Sequence, residues 1–322
     1  MARLRFEGRE FELAGGESVL DCLDRNQAGV PSFCRNGVCQ SCLVRCEEGE
    51  VPAAAQVGLK PAWRAQGWML SCMCRPVGDM QVARCDASPV FATELVDVLP
   101  LSARVLRVRL HRPPGFDYAG GQFIQLRRPE DGLMRPYSLA STPDEQLLEL
   151  HVALLPEGRM SQWLIGAQGQ RVEFSGPFGE CFYVPDTPAR PMLLAGTGTG
   201  LAPLLAVART ALQAQHAAPL RLLHGAASRD GLYLWPTLQE LAADGARLQI
   251  AGSSPGTDDS RISERSLLDQ ILGSDLSLPD CRVYLCGNPD FVRTLRKQLY
   301  LAGTPLDRIH ADPFLAPAIA PD

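Results

Sequence analysis

Cys34, Cys39 and Cys42 form a C-x4-C-x2-C run within the stretch SFCRNGVCQSC, and Cys72 follows after a gap of 29 residues. No other pattern in the chain restricts folding so strongly, because three thiols this close can serve one centre only if the backbone between them loops around it. Three near thiolates and one distant one suit a four-thiolate iron-sulfur cluster. Gly37, inside the run, lets backbone N–H groups approach the sulfurs. A structural zinc site would show two C-x2-C pairs roughly 15 to 20 residues apart, whereas this chain has one pair with an extra thiol upstream. Disulfides belong to oxidising compartments, yet the N-terminus MARLRFEGREF is charged and alternating, without the apolar core of a signal peptide. Cys74 is a second candidate for the fourth ligand. Cys22, Cys46, Cys85, Cys181 and Cys281 read as small buried hydrophobes or inert thiols.

A chain of 322 residues exceeds one ordinary core and suits two or three domains. A net charge of −5 offers no basic face for nucleic acid. Residues 1–87 hold ten basic and eleven acidic side chains, too balanced for a free electron carrier steered to many partners by charge. The 18 uncharged residues from Pro191 to Ala208 satisfy a length rule for a membrane span. Their centre, GTGTG, instead reads as strand, tight turn and helix, so no membrane segment and no membrane partner are expected, and a cytoplasmic location is.

Arg3 to Phe6 and Glu10 to Leu13 alternate around Gly8 as a hairpin. Ser18 to Gln27 carries Val19, Leu20, Cys22 and Leu23 at helical spacing, and LVRCEEGEV after the cysteine run reads as a strand. From Val90 to about Pro188 short strands with Gly/Pro punctuation predict an antiparallel barrel. From Arg190 onward strand-like runs alternate with helical ones, which predicts a parallel sheet covered by helices and a ligand at the C-terminal strand ends. The expected fold is multidomain, α+β and α/β. The expected limits are 1–87, 90–188, 189–315 and a tail at 316–322.

The cysteine spacing, Gly37 and the distal LSC triplet resemble the plant-type 2Fe-2S ferredoxins, a β-grasp domain. That resemblance favours Cys72 over Cys74 and implies Cys34, Cys39, Cys42 and Cys72 as metal ligands. Arg135-Pro136-Tyr137-Ser138, and GRMSQWL after it, resemble the flavin-binding barrel of the ferredoxin-NADP reductase superfamily. A flavin dinucleotide needs a cation for its pyrophosphate, a flat surface for its ring and hydrogen-bond partners near N5 and O4. The resemblance assigns these needs to Arg135, Pro136, Tyr137 and Ser138, adds His151 and Val152, and sets Gly158, Met160 and Ser161 against the pyrophosphate.

Gly196-Thr197-Gly198-Thr199-Gly200 departs from the dinucleotide fingerprint, since Leu201 stands at the third glycine position. GTGTGLAP and Cys286-Gly287-Asn288-Pro289 instead resemble the same superfamily's nicotinamide site, with Asn288 where proline is commoner. The implied catalytic residues are Ser138, Thr199 and Cys286. Phe314 stands where relatives carry an aromatic near the flavin. Ser228 and Arg229 could meet a 2'-phosphate, but AGSSPGTDDSR adds no second basic cluster, so NADH is favoured with NADPH open.

Nearly the whole chain resembles the NADH-dependent reductase components of bacterial oxygenases, a family including the reductases of benzoate dioxygenase, phenol hydroxylase and soluble methane monooxygenase. The resemblance implies an oxidoreductase with a 2Fe-2S cluster, FAD and NADH, and an oxygenase as partner. A deoxysugar dehydratase or a demethylase is the alternative acceptor. A zinc-stabilised nucleotide sensor without turnover is the reading from a different class.

Overall fold

The computed structural model describes residues 2–30, 32, 35–37, 40–59, 61–84, 90–184, 190–243, 247–255 and 262–314. Cys34, Cys39 and Cys85, the domain limits at 87 and 188, residues 256–261 and the tail at 316–322 therefore lie outside the described residues. The chain divides into two compact units, one before Val90 and the other Val90–Phe314.

The first unit runs β1 (Arg3–Phe6), β2 (Arg9–Glu12), α1 (Val19–Arg25), β3 (Leu43–Glu48), α2 (Pro61–Ala65), β4 (Trp68–Leu70) and β5 (Met80–Arg84). Its sheet has the order β2-β1-β5-β3-β4, with β1 and β5 parallel and the other pairs antiparallel. Alternation in β1 buries Leu4 and Phe6 and leaves Arg3 and Arg5 outside. Helix α1 starts at Ser18, whose hydroxyl accepts from the Asp21 N–H. Its Val19, Leu20 and Leu23 pack with Leu4, Phe6, Met69 and Leu70 in one core. The mixed sheet folded over a helix is the β-grasp arrangement that the resemblance to plant-type ferredoxins implied.

The second unit begins with β6 (Val90–Ser102), β7 (Val105–His111), β8 (Phe123–Arg127), β9 (Met134–Ser138), β10 (Leu147–Ala153), α3 (Arg159–Leu164) and β11 (Arg171–Phe178). These strands form an antiparallel sheet in the order β10-β7-β6-β11-β8-β9. An antiparallel bridge from Leu139, just past β9, to Leu150 on β10 brings the two edges together and closes the barrel. Leu95, Leu110, Ile124, Leu150 and Phe174 fill it.

There follow β12 (Met192–Thr197), α4 (Leu201–Gln213), β13 (Leu220–Gly225), α5 (Trp235–Ala243), β14 (Leu248–Ser253), β15 (Ile262–Ser263), α6 (Leu267–Leu272), β16 (Arg282–Gly287), α7 (Pro289–Leu301) and β17 (Ile309–Pro313). The sheet order is β15-β14-β13-β12-β16-β17, parallel throughout. Met192 and Leu194 face the α4 side, while Leu193 and Ala195 face the α7 side. The uncharged stretch 191–208 thus splits into β12, a turn and α4, and no described helix is long and apolar enough to cross a membrane.

Barrel and parallel sheet belong to one compact unit, and barrel residue Val105 sits in the α4-side core. Gly120 and Gly121 make the join tight: a Cβ on Gly120 would lie 2.9 Å from Thr210 Oγ1, and one on Gly121 would lie 2.3 Å from the Cys181 carbonyl. The chain runs outward from β12 to β15, then returns to the other flank of β12 as β16. That reversal opens a crevice beyond the C-terminal ends of β12 and β16.

Candidate functional site

Cys42 and Cys72 are buried in the first unit and come together because Ser71 holds the Cys42 carbonyl with both its N–H, at 3.1 Å, and its hydroxyl, at 2.7 Å. The Cys72 thiol hydrogen-bonds the Cys42 thiol, and that contact together with burial pushes Cys42 far above the usual thiol range. Two facing thiols gain most when a metal replaces their protons, so this pair fits an iron-sulfur ligand set. Cys74 points elsewhere, its sulfur 3.9 Å from Met80 Sδ, and burial raises its thiol to about 12. Gly37 has φ +76, and a Cβ there would lie 2.9 Å from Met73 Cγ, so packing as well as backbone conformation demands glycine. Arg35, in the same loop, pairs with Asp21 at 2.8 Å and with Asp24, which ties the loop to α1.

In the barrel, β9 carries Arg135, Pro136, Tyr137 and Ser138 in antiparallel register with Leu126, Gln125, Ile124 and Phe123 of β8. Desolvation lowers the Arg135 guanidinium and raises the Tyr137 phenol. A desolvated cation is where an added anion gains most, so Arg135 fits a pyrophosphate. Gly158 forms the N-cap of α3. The Ser161 hydroxyl is taken up within that turn, accepting from the Leu155 N–H at 3.2 Å and donating to the Gly158 carbonyl at 3.2 Å. Met160 is buried in the barrel core. What this segment offers a phosphate is therefore backbone. Nearby, Asp131 pairs with both Arg128 and Arg159, joining the β8–β9 loop to the start of α3.

The nucleotide turn forms at the crevice. Gly196 to Gly200 ends β12 and opens α4, while Cys286 and Gly287 end β16. A Cβ on Gly200 would lie 2.4 Å from the Cys286 carbonyl, and one on Gly287 2.4 Å from the Thr197 carbonyl. These glycines let two strand ends, some ninety residues apart in sequence, touch. Gly198, with φ +53 and nothing within 4 Å of where a Cβ would stand, leaves its outer face open to a ligand. The two threonines divide their work: Thr197 Oγ1 accepts from the Asn288 N–H at 2.9 Å, and Thr199 sits half-buried in the turn itself. Asn288 accepts from the Asp290 and Phe291 N–H groups and so caps α7. The Phe314 N–H donates to the Gly287 carbonyl at 2.7 Å, placing the aromatic residue beside the Cys286-Gly287 step. Ser228 and Arg229 are exposed beyond the end of β13.

Cys286 is fully buried, and burial followed by the neighbouring Cys181 thiol raises it well above the usual range. The two sulfurs are 3.4 Å apart. Sequence alone left Cys181 as an isolated thiol; only the folded chain makes it the neighbour of Cys286.

His151 does not offer its ring to a ligand. Its side chain has no exposure, with Nε2 3.0 Å from Glu149 Oε1 and Nδ1 3.1 Å from the Tyr233 hydroxyl. Val152 is buried in the barrel core. His224, on β13, is fully buried, and its Nε2 lies 2.9 Å from the Gly198 carbonyl. The sequence reading missed Glu149, His224 and Tyr233. The signal available was two histidines inside apolar strands, ELHV and LLHG, where a polar ring requires a partner.

Three family models match the chain: the 2Fe-2S iron-sulfur cluster binding domain over residues 4–77, the oxidoreductase FAD-binding domain over 95–183 and the oxidoreductase NAD-binding domain over 194–297. The chain is 30% identical to the ferredoxin--NAD(P)(+) reductase component of the naphthalene 1,2-dioxygenase system of Pseudomonas putida, covering 95% of this chain and 96% of that protein. It is 34% identical to the reductase subunit of an aromatic O-demethylase from an Amycolatopsis species, over 74% of this chain and 75% of that one. Among solved structures, the Amycolatopsis cytochrome P450 reductase GcoB superposes with a TM-score of 0.69 at 29% identity, covering 98% of this chain and 99% of the other.

Proposed function

The chain belongs to the iron-sulfur flavoprotein reductase components of oxygenase systems, and we propose the roles its residues play and the partner it serves. Held by these residues, FAD would supply hydride acceptance from NADH and a 2Fe-2S cluster would supply one-electron transfer to the acceptor. No side-chain acid or base is needed for the hydride itself, so the residues bind, align and exclude water.

Arg135 holds the flavin pyrophosphate with the backbone of Gly158, Met160 and Ser161; Tyr137 supplies a flat surface, Pro136 shapes the strand end, and Ser138 stands near N5. His151 and Val152 contribute strand backbone along the ring. Gly196, Thr197, Gly198 and Thr199 admit the nicotinamide from one strand end, and Cys286, Gly287 and Phe314 bound it from the other. Ser228 and Arg229 lie on the path of the adenosine ribose, and NADH is the favoured donor. Cys34, Cys39, Cys42 and Cys72 hold the cluster, a choice supported by the Cys42–Cys72 contact. The observation that carries this reading is the meeting of the Gly196–Gly200 turn with Cys286-Gly287 in the same compact unit as the Arg135–Ser138 strand.

The acceptor is an oxygenase of the kind named for the naphthalene relative. A cytochrome P450 demethylase is the second reading, favoured by the likeness to the Amycolatopsis proteins. A chain that draws on NADH and keeps its ligand thiols reduced works in the cytoplasm. An anaerobic NADH titration of protein loaded with both cofactors, followed by absorbance and electron paramagnetic resonance, tests the electron route. Flavin bleaching with a reduced 2Fe-2S signal is expected; no bleaching would overturn it. Reduction of one acceptor class over the other, measured with a purified oxygenase and a purified P450, decides between the partners.

A further inference from the structure

A line of buried polar groups crosses from the barrel to the nucleotide turn, and none of them belongs to the binding residues of either cofactor except through backbone. Glu149 and His151 lie on β10, Tyr233 follows β13, and His224 lies within it. The turn at Gly198–Gly200 packs directly against β10.

The chemistry of the partners sets the direction of each hydrogen bond. Burial pulls the Glu149 carboxyl upward, but the His151 hydrogen bond and the nearby Arg107 and Arg209 guanidiniums outweigh it, so its pKa is lowered and it stays a carboxylate. A carboxylate only accepts. In the neutral ring, His151 Nε2–H donates to Glu149 Oε1 at 3.0 Å and Nδ1 accepts from the Tyr233 O–H at 3.1 Å. The Gly198 carbonyl likewise only accepts, so His224 Nε2 carries the proton that reaches it at 2.9 Å. Tyr233 is 3% exposed and stands edge-on between the two imidazoles, 5.4 Å from the ring of His151 and 5.5 Å from that of His224.

We propose that Tyr233 is a positioning residue that locks the Gly196–Gly200 turn to barrel strand β10, and thereby sets where the nicotinamide stops relative to the flavin. This rests on the electron-transfer reading above. Glu149 and His151 come from barrel strand β10, and His224 and Tyr233 from β13 and the segment after it, with the Glu149 carboxylate fixing the tautomer of the neutral His151 ring. Holding a donor and an acceptor in reacting geometry is the task in hydride transfer, where a displacement of about 1 Å costs on the order of a hundredfold. A neutral hydrogen bond between buried groups, with its ring contacts, is the device that limits such displacement here.

The test is Tyr233→Phe, which keeps the ring contacts and removes only the O–H donor. In cofactor-loaded protein, amide hydrogen exchange read by mass spectrometry is expected to quicken together in segments 149–153 and 196–200. Flavin reduction at saturating NADH is expected to slow about tenfold, with half-saturation changed less than about twofold. His151→Phe should behave like Tyr233→Phe, and His151→Asn, whose amide oxygen can replace Nδ1 as acceptor, should recover most of the rate; these two carry the test if Tyr233→Phe does not fold. Unchanged exchange, an unchanged rate, or His151→Asn no better than His151→Phe would each overturn the proposal. Failure of NADH to reduce the flavin of the unsubstituted protein would overturn the electron-transfer reading instead, and the exchange measurement would still judge the lock.

Discussion

Cys72 and Cys74 are two residues apart and both buried, yet they do different things. The difference is a turn just past β4, in which the Met73 N–H donates to the Leu70 carbonyl at 2.9 Å and the Cys74 N–H to the Ser71 carbonyl at 3.4 Å, together with the Ser71–Cys42 hydrogen bonds that bring Cys72 to Cys42. Cys72→Ser should abolish the visible absorbance and acid-labile sulfide of the cluster, whereas Cys74→Ala should keep both and lose only stability, on the order of 1 kcal/mol from lost packing against Met80. Iron and sulfide analysis of the two variants checks this, and cluster loss in Cys74→Ala alone would reverse the assignment. At the same scale, the histidines show what a linear reading cannot reach. His151 stood in an expected flavin-contacting strand, and its ring is held between Glu149 of the same strand and Tyr233 from the segment after β13.

Helix α7 shows how one element joins stability to the site. Asn288 caps it with the Asp290 and Phe291 N–H groups, Pro289 sits at its first turn, and the Asn288 backbone N–H reaches Thr197 Oγ1 across the crevice. The departure from proline at this position thus has a local reason: a side-chain cap replaces a rigid residue. Asn288→Ala should destabilise the second unit by about 1 kcal/mol, seen as a lower urea midpoint by tryptophan fluorescence, and a midpoint unchanged from wild type would show that the cap adds nothing. Strand and helix order were legible in the sequence for β1, α1, β12, α4, β16 and α7 because each has a clear period and a clear stop signal. The barrel was expected, but the pairing that closes it was not legible, since the Leu139–Leu150 bridge joins segments whose pairing no local pattern states.

Over the whole molecule, buried imidazoles give the second unit a pH dependence. Burial lowers His224 to about 4, and burial also lowers His216 and His310. Because the folded pKa lies below the unfolded one, the stability held by the neutral ring is complete above about pH 6.5 and is lost as pH falls toward 4. For His224 alone the full span is roughly 3 kcal/mol. Urea midpoints should therefore drop between pH 7.5 and pH 5, and a histidine NMR signal that stays neutral at pH 5 should belong to His224; a flat midpoint over this range would refute the argument. What the sequence by itself determined was chemistry and local form: the ligand spacing of the cysteines, the glycines that two turns require, and the periods that make strands and helices. Tertiary structure alone decided which distant segments meet. The reversal of strand order between β12 and β16 brings Thr197 to Asn288, and packing of the segment after β11 against β16 brings Cys181 to Cys286, because such partnerships depend on sheet order and packing, which are set by how whole faces bury one another rather than by any run of residues.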